Sequence, residues 1–252
     1  MKFKDKLKWL FQVDRLFFNL INLKYALNLD YHSNKKQISI FKEVFYHKVY
    51  ELGLPKGIEN GVIVDIGAHY GYFSIFAAKN IGTKSKIYAF EPSDDNFVNL
   101  IKNIQSTGLK NIIPSQMAIS STSTDRHFYT AKSWNHSLFE NYLDYMEPST
   151  IVQCLTLADF ISVQKIKQID FLKIDCEGAE HEILQNCDLN TLMKINTISM
   201  EIHDMSHCGF SSDKTIEKLQ DVGFEILFSD YERKKHKKGF NAKVVLKRKN
   251  ID

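Results

Sequence analysis

Cysteine is scarce in this 252-residue chain, with only Cys154, Cys176, Cys187 and Cys208, and no two of them fall at C-x-x-C spacing. That pattern excludes a zinc-ribbon site and a disulfide framework. Free thiols fit a reducing compartment, so a cytoplasmic location is expected. Long apolar runs are also missing, and nothing approaches the ~20 residues of a membrane span. Neither sign of charge is in excess: the net charge of +3 is too small by itself to point to nucleic acid, which is not expected as a partner. No internal repeat is visible. The N-terminus is basic, but Asp14 and Arg15 interrupt its apolar stretch and no small-residue cleavage site follows. A signal peptide is therefore not expected. What remains is an ordinary soluble composition, 44% hydrophobic and 25% charged, in a length that suits one domain with an appendage.

One stretch organises the rest. Val62-Ile63-Val64-Asp65-Ile66 is an apolar run that ends near an aspartate, and Gly67-Ala68-His69-Tyr70-Gly71 follows as a glycine turn. An apolar, helix-like run then begins at Tyr72-Phe73. This is the pattern of a buried parallel strand, a tight turn and a helix N-terminus. Glycine has no Cβ, so the pattern lets a ligand lie against the backbone at Gly67 and Gly71. Asp65 stands near the strand's carboxyl end, where open α/β sheets bind ligands. A second short strand, Lys86 to Phe90, ends in Glu91-Pro92. An acid at that distance beyond a glycine turn suits the two hydroxyls of a ribose. A nucleoside-containing cofactor follows. A dinucleotide would want G-x-G-x-x-G, and this chain has Ala68-His69 where that pattern places x-Gly, so NAD is the weaker reading.

Before the core, residues 1 to 57 read as an N-terminal helical extension, and 58–252 as the main domain. Lys2, Lys4, Lys6 and Lys8 alternate with Phe3, Leu7, Trp9 and Leu10, and apolar residues continue at helical spacing to Leu23. Two readings stand: a peripheral contact with an anionic membrane surface, or a helix that covers the core or builds a homodimer. The wide apolar face, Phe17-Phe18 with Leu20-Ile21, favours the second. Ile40 to Leu52 reads as another helix. Strand and helix then alternate, with strands at Asn111–Ser115, Asp170–Ile174 and Asn196–Glu201, and His127–Thr130 as an added strand. Trp134 to Pro148 reads as an irregular loop over a site. The strands Phe224–Phe228 and Lys243–Leu246 leave no room for a crossover helix, so they pair antiparallel. The fold class is α/β: a mostly parallel seven-stranded sheet with an antiparallel last strand, plus the helical appendage.

Asp-x-Gly-x-x-x-Gly after the first strand, in this architecture, resembles the class I S-adenosylmethionine-dependent methyltransferases, which are Rossmann-like. Val64 to Ser74, Ala89-Phe90-Glu91-Pro92, and Leu172-Lys173-Ile174-Asp175-Cys176-Glu177-Gly178-Ala179-Glu180 together resemble the FkbM family, over about residues 60 to 205. The resemblance implies S-adenosylmethionine as cofactor, with Glu91 on the ribose and Asp65 near the methionine ammonium. Backbone N–H groups at Gly67, Ala68 and Gly71 would contact the cofactor. Phe73 and Pro92 belong to the same motifs. Met117 and Ala118 fall where this family packs the adenine, and either residue is equally well read as core. His69 in the turn and His136 in the lid are further cofactor candidates.

Asp175 and Glu177 follow the strand ending at Ile174, and Glu201 and His203 end the next one, alternating along it. All four share the sheet edge of the glycine turn. They are the catalytic candidates, with His203 or Asp175 as base, and Asp175 is also a cofactor candidate. No tight ligand spacing supports a metal, and none is expected. His203-x-x-x-His207 lacks the glutamate of a zinc helix and follows a strand, so it reads as coincidence. Glu180 and Glu182 read as a solvated helix face. The basic run from Arg233 to Lys238 reads as a solvated hairpin loop. The activity implied is methyl transfer to a hydroxyl of a small-molecule or glycan acceptor. A non-catalytic cofactor- or partner-binding module and an NAD-dependent oxidoreductase stand as alternatives.

Overall fold

The computed structural model describes residues 3–29, 35–130, 136–140, 147–237 and 239–249. Two helices come first, α1 (Phe3–Tyr25) and α2 (Lys35–Phe45). A βαβαβ unit follows: β1 (Val62–Ile66), α3 (Tyr72–Asn80), β2 (Lys86–Phe90), α4 (Asp94–Thr107) and β3 (Ile112–Ser115). Four short strands come next, β4 (Ala118–Ser120), β5 (Arg126–Thr130), β6 (Glu147–Val152) and β7 (Cys154–Thr156). The second half holds α5 (Leu157–Val163), β8 (Phe171–Ile174), α6 (Ala179–Asn186), α7 (Leu189–Leu192) and β9 (Thr197–His203). It closes with α8 (Ser212–Asp221), β10 (Phe224–Ser229), α9 (Tyr231–Lys234) and β11 (Asn241–Arg248).

Seven strands form one sheet in the order β10-β11-β9-β8-β1-β2-β3. β11 runs antiparallel to both neighbours, while β9, β8, β1, β2 and β3 pair in parallel. The sheet is the one its sequence pattern implies. The parallel strands are apolar on both faces because helices cover both. One core cluster gathers β1, β8 and β9 residues with α5, α6 and α8, and the other lies under α1 to α4. Most of α3 is buried, including Phe73, Ile75, Phe76 and Ala77, because it lies between the sheet and the N-terminal helices. Phe41 of α2 packs against Phe18 of α1, the rings tilted with centroids 4.3 Å apart, and meets Tyr72 of α3 edge-on at 5.4 Å. The opposite face of α1 exposes Leu16, Leu20 and Leu23. Among the described residues, no helix is long and apolar enough to cross a membrane.

Three elements differ from expectation. The second helix stops at Phe45 rather than Leu52, and Lys48, at φ 52°, turns the chain so that Tyr50 enters the sheet edge. The stretch read as a loop ends in strand β6, which pairs with β5. Its remaining parts at 134–135 and 141–146 lie outside the described residues. Glu180 and Glu182 are buried, not solvated, because α6 packs this face against β9 and the strand loops rather than presenting it to water. The basic run lies at the surface, where Lys234 pairs with Asp230 at 2.9 Å and Lys235 with Glu232 at 2.7 Å.

Candidate active site

The sheet turns back on itself between β1 and β8: the chain runs outward through β1, β2 and β3, then returns to β8 on the other side of β1. Open α/β sheets leave a crevice at the carboxyl ends of the strands at such a switch point. Here a cavity of about 900 Å³ opens over the ends of β1, β2, β8 and β9.

Parallel register puts Asp65 of β1 directly beside Lys173 of β8. The Lys173 ammonium lies 3.1 Å from Asp65 Oδ1 and donates to the Gly67 carbonyl at 2.6 Å, while Ser74 Oγ donates to Asp65 Oδ2 at 2.6 Å. Asp65 is fully buried and does not line the cavity. Its carboxylate holds the glycine turn together from beneath, and Lys173 is the charged group that reaches the cavity wall.

The turn itself corrects two expectations. A Cβ on Gly67, which has φ +75°, would stand 1.9 Å from the Asp175 carbonyl oxygen. One on Gly71, at φ +76°, would stand 2.3 Å from Leu100 Cδ1. Both glycines are required by neighbouring protein atoms, and Gly71 is not in the cavity wall. The backbone N–H groups are engaged as well. Gly67 and Ala68 donate to the Phe90 carbonyl at 3.0 and 2.9 Å, and Gly71 donates to Ala68 at 2.8 Å. The first two donors tie the turn to β2, the third closes the turn on itself, and none is available to a ligand.

Glu91 is where the turn meets the cavity. One carboxylate oxygen accepts from His69 N–H at 2.7 Å, and the other from Ser93 N–H at 3.0 Å and Asn96 Nδ2 at 3.3 Å. Burial pushes its pKa up, while those donors and Lys173 oppose the rise. Pro92 and Phe73 line the cavity alongside it. Met117 and Ala118 line the cavity as apolar residues together with Phe128 and Leu138. His69 sits at φ 52° in the turn, and burial and Lys173 push its pKa down to about 3. His136 also lines the cavity, and burial lowers its pKa. Both rings are neutral near pH 7.

The four acid and histidine candidates come together at the other end of the cavity. Tyr50 donates to Asp175 Oδ2 at 2.8 Å, and Lys173 lies 3.9 Å from the same oxygen. Burial disfavours the Asp175 carboxylate, but Lys173, His203 and Tyr50 outweigh it and hold the pKa low. His203 is anchored through Nδ1 to Glu180 at 3.0 Å, and its Nε2 lies 3.6 Å from Glu177. Burial opposes its charge, yet Glu180 and then Glu177 and Glu201 push the pKa up to about 10. His203 is thus an imidazolium at neutral pH and has no lone pair to act as base. Glu201 behaves differently: burial and Asp175 push it up to about 7, against His203 and Lys243.

Sequence reasoning missed the groups that set these charges. Lys173 stood inside a motif already singled out. Tyr50 was hidden in a helix reading, and Lys243 in a strand. Register alone pairs Lys243 with Glu201 across β11 and β9. The Lys243 ammonium lies 3.4 Å from the Tyr50 ring centre, has no hydrogen-bond partner among the described residues, and is pushed down to about 7 by burial.

A model of the methyltransferase FkbM domain matches residues 65–226, more than half of the chain. The chain belongs to the FkbM methyltransferase family. Among curated relatives, Methyltransferase 1 of Beauveria bassiana is 26% identical over 207 residues, covering 74% of this chain and 80% of that protein. Hexuronic acid methyltransferase AglP of Haloferax volcanii is 27% identical over 158 residues, covering 62% of this chain and 61% of that protein. An rRNA methylase from Streptococcus thermophilus superposes with a TM-score of 0.50 at 11% identity, over 81% of this chain and 95% of that one, a likeness of fold alone. This FkbM methyltransferase has the Rossmann-like class I fold, and its cofactor is S-adenosylmethionine. The donor set fits that molecule: an acid for the ribose, an apolar wall for the adenine, and carboxylates beyond them for the ammonium and sulfonium.

Proposed function

We propose that this FkbM methyltransferase moves a methyl group from S-adenosylmethionine to a hydroxyl oxygen of a sugar-like small molecule or glycan. The observation that carries this reading is one continuous cavity, with Glu91 and the apolar wall at one end and Asp175, Glu177, Glu201 and His203 at the other. Glu91 holds the ribose, Met117 and Ala118 flank the adenine, and Asp175 faces the methionine end. When bound, the cofactor supplies an electrophilic methyl on a sulfonium. Asp65 acts as a positioning residue, because it fixes Lys173 and the turn. Holding the acceptor oxygen in line contributes ~7–11 kcal/mol toward the barrier. The acceptor's proton goes to Glu201, whose pKa near 7 suits a base at neutral pH, and this adds a factor of about 10²–10⁴. His203 stays charged beside it and stabilises the carboxylates. Residues 1–57 are an extension whose α2 closes the acceptor side through Ser39, Ile40 and Glu43, over a catalytic domain at 58–252.

The test is transfer of an isotopically labelled methyl from S-adenosylmethionine to a panel of sugars and hydroxylated metabolites. A methyl ether in the product, formed about 10²–10⁴-fold more slowly by Glu201→Gln, supports the reading. A label found only on nitrogen or carbon refutes it.

A further inference from the structure

The acceptor end of the cavity has a one-sided charge. Glu43 from α2, Asp175 and Glu177 after β8, Glu201 of β9 and Asp204 beyond it all stand in its wall. Two of the cations nearby are already engaged, and a third does not line the cavity. Lys173 points at Asp65 and at the carbonyls of Gly67 and Ile66. His203 is held by Glu180 at 3.0 Å. Lys243 lies over the Tyr50 ring. Among the described residues, no arginine lines the cavity. Recognition of a carboxylate or phosphate ordinarily uses the planar fork of arginine, which pairs with two oxygens at once. Carboxylates, in contrast, are acceptors only, and their partners are hydroxyl donors.

We infer that the acceptor is an uncharged polyol, bound through its hydroxyls to these carboxylates, and not a uronic acid or a phosphorylated sugar. The inference rests on the methyl-transfer reading of the site and sets this chain apart from the hexuronic acid named for its Haloferax relative. The wall shows the strain of its own charge: burial first, and Asp175 among its neighbours, raise Glu43 and Glu201. A further anion would sit against like charges with no fork to receive it. A neutral ring with adjacent hydroxyls meets acceptors on several sides: Glu43 at the exposed rim, Glu177 deeper, and Asp204 beside Ser206, whose Oγ it binds at 2.7 Å.

The test uses the full chain saturated with S-adenosylhomocysteine. Binding of the methyl glycosides of glucose, galactose and mannose is compared with that of the three matched uronides, by saturation-transfer NMR. The expected result is at least tenfold tighter binding of one or more neutral glycosides than of its uronide. In Glu43→Arg, which places a guanidinium at the rim, the gap narrows. Equal or tighter binding of the uronides by the unaltered chain overturns the inference, and so does binding of neither class. Calorimetry with S-adenosylhomocysteine in the same samples separates the two claims. Loss of that heat defeats the methyl-transfer reading, whereas a preference for uronides with the heat intact defeats only this one.

Discussion

Two residues on one strand, Glu201 and His203, face the same cavity and end with opposite charge states. Glu180 lies behind His203 and accepts from its Nδ1, so the ring keeps its proton. Glu201 is buried, with Asp175 and Glu177 nearby and only partial relief from His203 and Lys243, so its carboxyl titrates near 7. The rate of methyl transfer should therefore rise with pH through about 7 and level off above it. Glu201→Gln should flatten that limb and lower kcat by about 10²–10⁴-fold. A second pH effect belongs to stability. His203 is raised from 6.5 in the unfolded chain to about 10 in the fold, so its contribution is complete below 6.5 and disappears as pH rises toward 10. Lys243, depressed to about 7, works the other way: its burial costs most at low pH, and stability recovers as pH rises. The clean readout is a difference. The Tm advantage of the unaltered chain over His203→Gln should be largest near pH 6 and shrink steadily by pH 10. An advantage that does not change with pH would contradict the charge assigned to His203. The sequence showed these acids and the histidine at one sheet edge, because strand alternation and shared strand ends place them there. It did not show their protonation states, which come from Lys173 and Glu180 inside the same motif and from Tyr50 and Lys243, brought in by tertiary packing from two distant segments.

The turn after β1 is the element whose demands are sharpest. Gly67 lies against the backbone of β8's end, and a backbone carbonyl cannot step aside. Gly71 meets the tip of Leu100, a side chain that can rotate. Both have φ near +75°, which costs a residue with a Cβ ~1–2 kcal/mol. Gly67→Ala should therefore abolish soluble folded protein. Gly71→Ala should fold with a loss of ~2–4 kcal/mol, the positive φ plus modest overpacking, as read by chemical denaturation. Equal losses in the two variants would contradict the packing described. The glycine spacing was legible in the sequence, while its cause was not: nothing in residues 62–73 shows that Asp175 and Leu100 press on the turn. The boundary of α2 was missed for a related reason. Apolar periodicity runs on past Phe45, but the helix ends there and the chain turns at the left-handed Lys48. Strand β6 was missed because its partner β5, not its own alternation, defines it.

At the scale of the whole molecule, a fold common to many methyltransferases is combined with a cavity completed from outside the matched family region. Ser39, Ile40, Glu43 and Tyr50 come before residue 65, and Phe240, Asn241 and the underlying Lys243 come after residue 226. The cofactor end lies inside the family match and was read from motifs. The acceptor end depends on the two flanking segments, which carry no motif, and it was read only in part. The cavity's division into a nucleoside end and a carboxylate end is the central claim, and Glu91 is its pivot. Calorimetric titration with S-adenosylhomocysteine and with NAD, on the unaltered chain and on Glu91→Gln, tests that claim most directly. Hydrogen bonds to a charged group contribute ~1.5–3 kcal/mol, so Glu91→Gln should weaken S-adenosylhomocysteine binding by roughly 10- to 100-fold, with NAD giving no heat in either protein. Binding of NAD, or S-adenosylhomocysteine affinity unchanged in a folded Glu91→Gln protein, would contradict the account.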